Sequence, residues 1–172
     1  MSVTPDYVEP VLAWRAWYAV DDVAASARLS SVFHSTLWPA RAPLVAACER
    51  HRIPIFPFTR KRHDEAPHVG CTCGIHAATM NTVRTYLPDR FSASHVLPVL
   101  GRVALWGVVH EYERGWRASH AYPACLYVPI VEVGAERGER VIDGLSRYGV
   151  PVLAIDGATL DDVIEEITVL AA

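Results

Sequence analysis

Three cysteines and several histidines lie close together in the middle of the chain, a combination that can bind a metal ion. Cys71 and Cys73 are separated by one residue, and Cys48 precedes them. Zinc takes four thiolate or imidazole ligands in a tetrahedron, and a C-x-C pair can supply two of them from one tight turn. We therefore predict a zinc (Zn²⁺) site with Cys48, Cys71 and Cys73 as three of its ligands.

The fourth zinc ligand is expected to be a histidine. His68, three residues before the C-x-C pair, is the first candidate and His63 is the second, followed by His51 and His76. Three thiolates and one imidazole leave no open coordination position, as in structural zinc sites. Such a site would attach the long, proline-rich segment 52–70 to the rest of the fold.

Two other interpretations of these residues stay open. A catalytic zinc site would hold water in place of one protein ligand and would need a general base, for which Asp64 and Glu65 lie close in sequence. Alternatively, Cys71 and Cys73 could form a thiol-redox pair with Cys48 as the resolving thiol. A disulfide within so short a C-x-C pair would be strained.

A second candidate site lies on two predicted strands that contain Arg117, Trp106 and Trp116. An arginine flanked by tryptophans could bind an anionic or aromatic ligand through charge and cation–π contacts. The structural alternative is that this arginine covers the sheet edge or pairs with Glu111 or Glu113. The sequence W-R-A at Trp116 also occurs at Trp14, which suggests a duplicated hairpin.

Two further candidates are assigned structural roles. We expect Cys125 to be an ordinary core residue, because a free cysteine commonly behaves as a small buried hydrophobe. Ser119 and His120 are neighbours on a predicted strand, and neighbouring strand residues point to opposite faces. They are therefore not expected to form a catalytic pair.

The elements that would position these residues are predicted from hydrophobic patterns. Strands are expected over 11–20 and 29–38, and again over 96–110 and 116–128, which gives two antiparallel hairpins. A short helix is expected over 44–51, with Cys48 towards its end. A longer helix over 75–87 would place Cys73 at its N-terminus, where backbone N–H groups favour a thiolate.

The pattern changes in the C-terminal part of the chain. It predicts a helix over 136–148, a buried strand over 150–155 and a second helix over 160–170, which begins with the capping-box pair Thr159 and Asp162. The predicted fold class is α+β, with antiparallel hairpins, a Cys/His metal-site loop and a C-terminal helix–strand–helix segment. We expect a single domain over 1–172, in which 1–128 carries the hairpins and the metal site and 129–172 forms the tail.

Composition and charge exclude several classes of protein. The chain has 172 residues and a net charge of −3, and 51% of its residues are hydrophobic. These values exclude a disordered chain and argue against a nucleic-acid partner. No apolar run is long enough to cross a bilayer, and the N-terminal residues lack the pattern of a secretory signal. A cytoplasmic location is expected, in which cysteines are free thiols or metal ligands.

Several motifs resemble those of a family of proteins from high-GC Gram-positive (actinobacterial) bacteria. They are W-R-A-W at Trp14, C-T-C-G-I-H-A at Cys71, and L-W-G … G-W-R-A from Leu105 to Ala118. The family shares C-x-C-G-I and L-W-G … G-[WY]-R-A patterns, and the resemblance covers about residues 8 to 125. It implies no activity, ligand or metal. His76 stands where the family has Tyr, which makes it a poor ligand candidate.

Together these features predict a small intracellular protein with a structural zinc site that acts as a binding or adaptor module. Its partner would be a protein or a small molecule. A zinc-dependent hydrolase and a thiol-redox protein remain the alternatives, so the question whether the protein is an enzyme stays open.

Overall fold

The computed structural model describes residues 9–21, 26–48, 63–87, 96–130, 134–157 and 159–170. The fold class is α+β, as predicted, and the strands form one mixed sheet. In chain order the elements are β1 (Val11–Asp21), β2 (Ala27–Ser31), β3 (Leu44–Val45), β4 (Ile75–Ala78), α1 (Met80–Val83), a 3-10 turn (Arg84–Tyr86), β5 (Leu97–Tyr112), β6 (Gly115–Pro129), α2 (Ala135–Ser146), β7 (Val152–Ile155) and α3 (Leu160–Leu170).

Four strands of the sheet pair in a closed ring. β1 pairs antiparallel with β5, β5 with β6, β6 with β4, and β4 meets β1 where Ala78 lies opposite Trp14. β2 adds to β1, β3 adds to β6, and β7 pairs with β6 in parallel. Within the ring, β4 lies between β1 and β6, and it begins two residues after Cys73.

The buried side chains form two clusters. The larger one contains Trp17 and Trp38 and includes Leu145 of α2. The smaller one contains Ala16 and includes Ile167 of α3. Ala16 and Trp17 are neighbours on β1 and belong to different clusters because successive strand residues point to opposite faces.

The segment after α2 is joined to β2 by a buried tyrosine. The hydroxyl of Tyr148 donates a hydrogen bond to the carbonyl of Trp38 (2.8 Å) and accepts one from the N–H of Leu29 (3.0 Å). The hydroxyl of Tyr122 donates to the carbonyl of Tyr148 (2.8 Å) and accepts from the N–H of Arg41 (2.7 Å). Two phenols thus attach the end of α2 to the N-terminal half of the sheet.

The last helix, α3, begins with the reciprocal hydrogen bonds of a capping box. The N–H of Asp162 donates to Thr159 Oγ1 (3.2 Å), and the N–H of Thr159 donates to Asp162 Oδ2 (3.0 Å). These bonds satisfy two backbone donors at the helix start. Among the described residues, none of the helices has the length and apolarity needed to cross a bilayer.

The predicted helix over 75–87 is wrong in its first turn, because residues 75–78 form strand β4. Ile75 and Ala77 are buried and His76 between them is exposed, which is the two-residue period of a strand. Cross-strand pairing with β1 and β6 outweighs the helix propensity of the alanines. Only Met80–Val83 are α-helical.

The predicted short helix over 44–51 is also wrong where the structure describes it. Leu44 and Val45 form β3, residues 46–48 have no regular structure, and residues 49–51 lie outside the described residues. The second predicted strand, over 29–38, ends at Ser31. The chain then turns back, and Leu37 forms an isolated antiparallel β-bridge with Ser30.

Candidate metal centre

The three predicted cysteine ligands come together in the structure. The sulfur atoms of Cys48, Cys71 and Cys73 all lie within 4.8 Å of one another, and those of Cys48 and Cys71 are 4.0 Å apart. A zinc ion with Zn–S bonds of about 2.3 Å in a tetrahedron places its sulfur ligands about 3.8 Å apart. The cluster is thus close to the size that a bound ion requires, and it could hold a metal ion.

Strand β6 positions both chain segments that carry the cysteines. β3 pairs with β6 through Leu44 and Val45, and the N–H of Ala46 donates to the carbonyl of Ser119 (2.8 Å), so Cys48 follows closely after a fixed backbone. Along the same edge of β6, β4 pairs with it from Ile75 onwards, directly after the C-x-C pair. The sheet therefore brings together thiols that lie more than twenty residues apart in sequence.

His68 contacts the cluster through its main chain. Its backbone N–H donates to the sulfur of Cys73. Its carbonyl accepts the N–H of Cys71 (3.0 Å), which closes a turn before the C-x-C pair. Its ring is stacked on that of His63, with centroids 3.8 Å apart, and its Nδ1 accepts the N–H of Gly70 (3.2 Å).

Neither of these rings belongs to the 4.8 Å group in the part of the chain that the structure describes. A histidine as the fourth ligand therefore stays a prediction. His51 lies outside the described residues. Asp64 and Glu65, the predicted general bases, are exposed and also lie outside the group.

The backbone carbonyls of the C-x-C loop accept hydrogen bonds from two basic side chains, those of Arg117 and His76. The guanidinium of Arg117 donates to the carbonyls of Cys71 and Cys73, the latter at 3.1 Å. The ring Nε2–H of His76 donates to the carbonyl of Thr72 (2.8 Å). All three carbonyls from Cys71 to Cys73 thus accept a side-chain hydrogen bond.

Arg117, which the sequence predicts as part of a ligand site with Trp106 and Trp116, contacts the cysteine loop and Tyr112 in the structure. Its side chain is only 8% exposed, donates to the hydroxyl of Tyr112 and lies over the ring of Tyr112, 4.7 Å from its centroid. Trp106 stacks on His120, and Trp116 packs against the larger core cluster. The structure thus directs the guanidinium of Arg117 to the cysteine loop.

Burial raises the pKa of the Cys73 thiol, and the neighbouring thiols of Cys71 and Cys48 raise it further, while the N–H of His68 opposes the shift. The prediction that a helix N-terminus favours this thiolate is wrong, because strand β4 follows. Metal binding at this cluster must therefore displace protons. Although His76 is exposed as a whole residue, desolvation of its ring lowers its pKa; the hydrogen bond to the carbonyl of Thr72 opposes this shift, and Arg117 adds to it. A low pKa leaves the His76 ring neutral, and a neutral imidazole can donate its Nε2–H to the carbonyl of Thr72.

Ser119 and His120 are closer than the strand pattern predicts. Ser119 Oγ lies 2.9 Å from His120 Nδ1, because the pairing of β5 and β6 shifts register between Trp106 and Val109. The same Oγ accepts the N–H of Val108 (3.0 Å), and a Cβ at Gly107 would lie 2.3 Å from it. The hydroxyl of Ser119 is half-buried at this bulge, where it accepts the N–H of Val108 and donates to the carbonyl of Trp106 (3.4 Å).

One signal for the role of Arg117 was present in the sequence. The repeated W-R-A places Arg15 on β1 and Arg117 on β6, the two neighbours of β4, and Arg15 donates to the carbonyl of His76. Both arginines therefore bind backbone carbonyls within residues 71–76. Cys125, predicted as a core residue, is half-buried on β6 outside the thiol cluster.

No family model, curated protein or solved structure matches this chain.

Proposed function

We propose that this protein binds a structural zinc ion through Cys48, Cys71 and Cys73 and acts as a metal-stabilised binding module. The observation that carries the proposal is the group of three sulfur atoms within 4.8 Å, two of them on buried residues. Soft thiolate ligands select zinc, copper(I) or iron–sulfur clusters over magnesium and calcium, and a site of three cysteines and one histidine is typical of structural zinc. The free thiols suit a reducing compartment such as the cytoplasm.

The first candidate for the fourth ligand is His68. Its main chain already contacts the sulfur of Cys73, so its side chain begins next to the cluster. Ligation by His68 would separate its ring from that of His63, with which it now stacks. His63 is the second candidate, because it lies in the same stacked pair.

A bound ion would stabilise the fold by joining two segments that pair with neighbouring stretches of the same edge of β6. One segment follows β3 and the other precedes β4. If metal exceeds its dissociation constant about 1,000-fold, linkage gives about 4 kcal/mol of stabilisation. For a chain of this length that corresponds to about 8–16 °C in Tm, at about 2–4 °C per kcal/mol.

Elemental analysis of the untagged protein, purified without added metal, tests this proposal. We expect about one zinc per chain for the wild type and for Cys125→Ser, whose thiol lies outside the cluster, and a loss of zinc in Cys71→Ser. A chelator should lower the Tm of the first two proteins and leave that of Cys71→Ser unchanged. His68→Ala should weaken zinc binding if its ring is the fourth ligand.

A wild-type protein without metal would refute the proposal. The distance of 4.0 Å between Cys48 Sγ and Cys71 Sγ would then favour the thiol-redox alternative, with the disulfide between these two residues instead of within the C-x-C pair. Thiol titration before and after mild oxidation distinguishes the two functions. A loss of two titratable thiols that requires Cys48 would support redox chemistry.

A further inference from the structure

The hydrogen bonds of Arg117 point to a role in metal binding. We propose that Arg117, held in place by Tyr112, is a positioning residue that sets the backbone of the Cys71–Cys73 loop for a metal ion and balances the charge of the loaded site. This inference rests on the proposed zinc site. It concerns a residue that touches neither the metal nor a sulfur atom, and that acts through the carbonyls of two ligand residues.

Hydrogen bonds to the loop carbonyls restrict the directions of both cysteine side chains. Each peptide unit is planar, so fixing a carbonyl fixes the orientation of the whole unit. Arg117 fixes the units after Cys71 and Cys73, and His76 fixes the unit after Thr72. The backbone directions that place both sulfur atoms are therefore determined before any ion binds. Preorganisation of this kind reduces the ordering cost of binding.

The guanidinium of Arg117 is itself held in place by Tyr112. One of its nitrogens, Nη1, donates to the two loop carbonyls, and the other, Nη2, donates to the hydroxyl of Tyr112, over whose ring the guanidinium carbon lies. A planar fork can make these contacts together, whereas the ammonium of a lysine is a single point donor on a flexible chain. An Arg117→Lys variant therefore keeps the charge and loses the geometry.

The charge of Arg117 also fits a loaded site. A divalent ion bound to three thiolates and a neutral imidazole carries one negative charge in excess. Arg117 is buried and carries one positive charge, and its hydrogen-bond partners, two carbonyl groups and a phenol, are neutral. A buried charge is costly unless it is paired, so the loaded site and Arg117 stabilise each other. An Arg117→Met variant loses both the charge and the geometry.

Zinc affinity, measured by competition with a chromophoric chelator, tests this inference. We expect Arg117→Lys to bind zinc about 10- to 100-fold more weakly than the wild type, the usual cost of changing a group that orients metal ligands. We expect Arg117→Met to bind at least as weakly. The matched control is Arg102→Lys. Arg102 also lies over an aromatic ring, that of Trp14, and donates to a backbone carbonyl, but it is not a partner of the Cys71–Cys73 carbonyls. The Arg102→Lys variant should bind zinc with wild-type affinity.

Two further measurements separate positioning from a general effect on folding. With cobalt(II) in place of zinc, the ligand-field absorption reports the geometry of the site, and we expect it to change in Arg117→Lys and to stay the same in Arg102→Lys. Where Arg117→Met fails to fold, Tyr112→Phe removes only the hydroxyl that holds the guanidinium, and it should also weaken zinc binding.

The outcomes separate this inference from the proposed function. A wild-type protein that binds no zinc refutes both. A wild type that binds zinc, together with an Arg117→Lys variant of equal affinity and an unchanged cobalt spectrum, refutes only the role of Arg117. Equal weakening in Arg102→Lys would also refute it, because the effect would then not be specific to the cysteine loop.

Discussion

Replacing Tyr148 by Phe should weaken the attachment of α2 to the sheet. The change removes one hydroxyl and leaves two buried backbone groups without a partner, the N–H of Leu29 and the carbonyl of Trp38. Each unsatisfied buried group costs about 1–3 kcal/mol, and Phe recovers part of this because it has no hydroxyl to bury. We expect a loss of about 3 kcal/mol in the free energy of unfolding, or about 6–12 °C in Tm at about 2–4 °C per kcal/mol.

Tyr122→Phe is the matched control for this prediction. Its hydroxyl also makes two hydrogen bonds to the backbone, but one of them is to Arg41, which is exposed, so water can replace the hydroxyl there. Only the half-buried carbonyl of Tyr148 then loses a partner that water cannot readily replace, so we expect a loss of about 1 kcal/mol. Urea unfolding of both variants, monitored by tryptophan fluorescence and by circular dichroism, measures the difference. If Tyr148→Phe is no less stable than Tyr122→Phe, the buried bridge between α2 and β2 does not stabilise the fold as we argue.

Two other predictions concern packing and pH. Gly101→Ala should cost about 3 kcal/mol, because its Cβ would lie 2.3 Å from the carbonyl oxygen of Cys125 and 3.1 Å from the ring of Trp17. Gly149→Ala, with a φ of 69° and no neighbour within 4 Å, should cost only the backbone strain of about 1 kcal/mol, and equal losses in urea unfolding would contradict this packing argument. Burial and the neighbouring Cys125 raise the pKa of Tyr127 to about 12, above the value of about 10 in an unfolded chain. The contribution of Tyr127 to stability is therefore complete below about pH 10 and is lost as the pH rises towards about 12. In alkaline unfolding, Tyr127→Phe should thus lose less stability than the wild type over this range. Identical pH profiles for the two proteins would show that another group is responsible.

Local patterns were sufficient where an element depends on its own residues. The strand predicted over 11–20 is β1, Val11–Asp21, and the helix predicted over 160–170 is α3, Leu160–Leu170. β-branched and aromatic residues determine the first, and a capping box with an apolar stripe determines the second. The sequence also grouped the three cysteines correctly, since thiols this close in an expected reducing compartment favour a shared metal.

The failures occur where distant strands decide the outcome. Residues 75–78 are rich in alanine and suggest a helix, yet they form the strand that closes the ring between β1 and β6. The proposed role of Arg117 depends on the same closure, because its partners Cys71 and Cys73 are more than forty residues away in sequence. A pattern that repeats every two residues gives the face of a side chain but not the group that it meets.

The closed ring of strands has a consequence for the order in which the chain folds. The partners of β1 on β5 range from Ala19 and Leu97 to Val11 and Leu105, which are 78 and 94 residues apart. During synthesis β1 therefore leaves the ribosome long before β5 exists, whereas β5 and β6 are joined by a two-residue turn and can pair as soon as both are made. Pairing between distant strands is slow, and the edge of β1 that β5 later covers favours aggregation as long as it has no partner. The protein thus has to keep its first strand from other chains until its last long strands have been made.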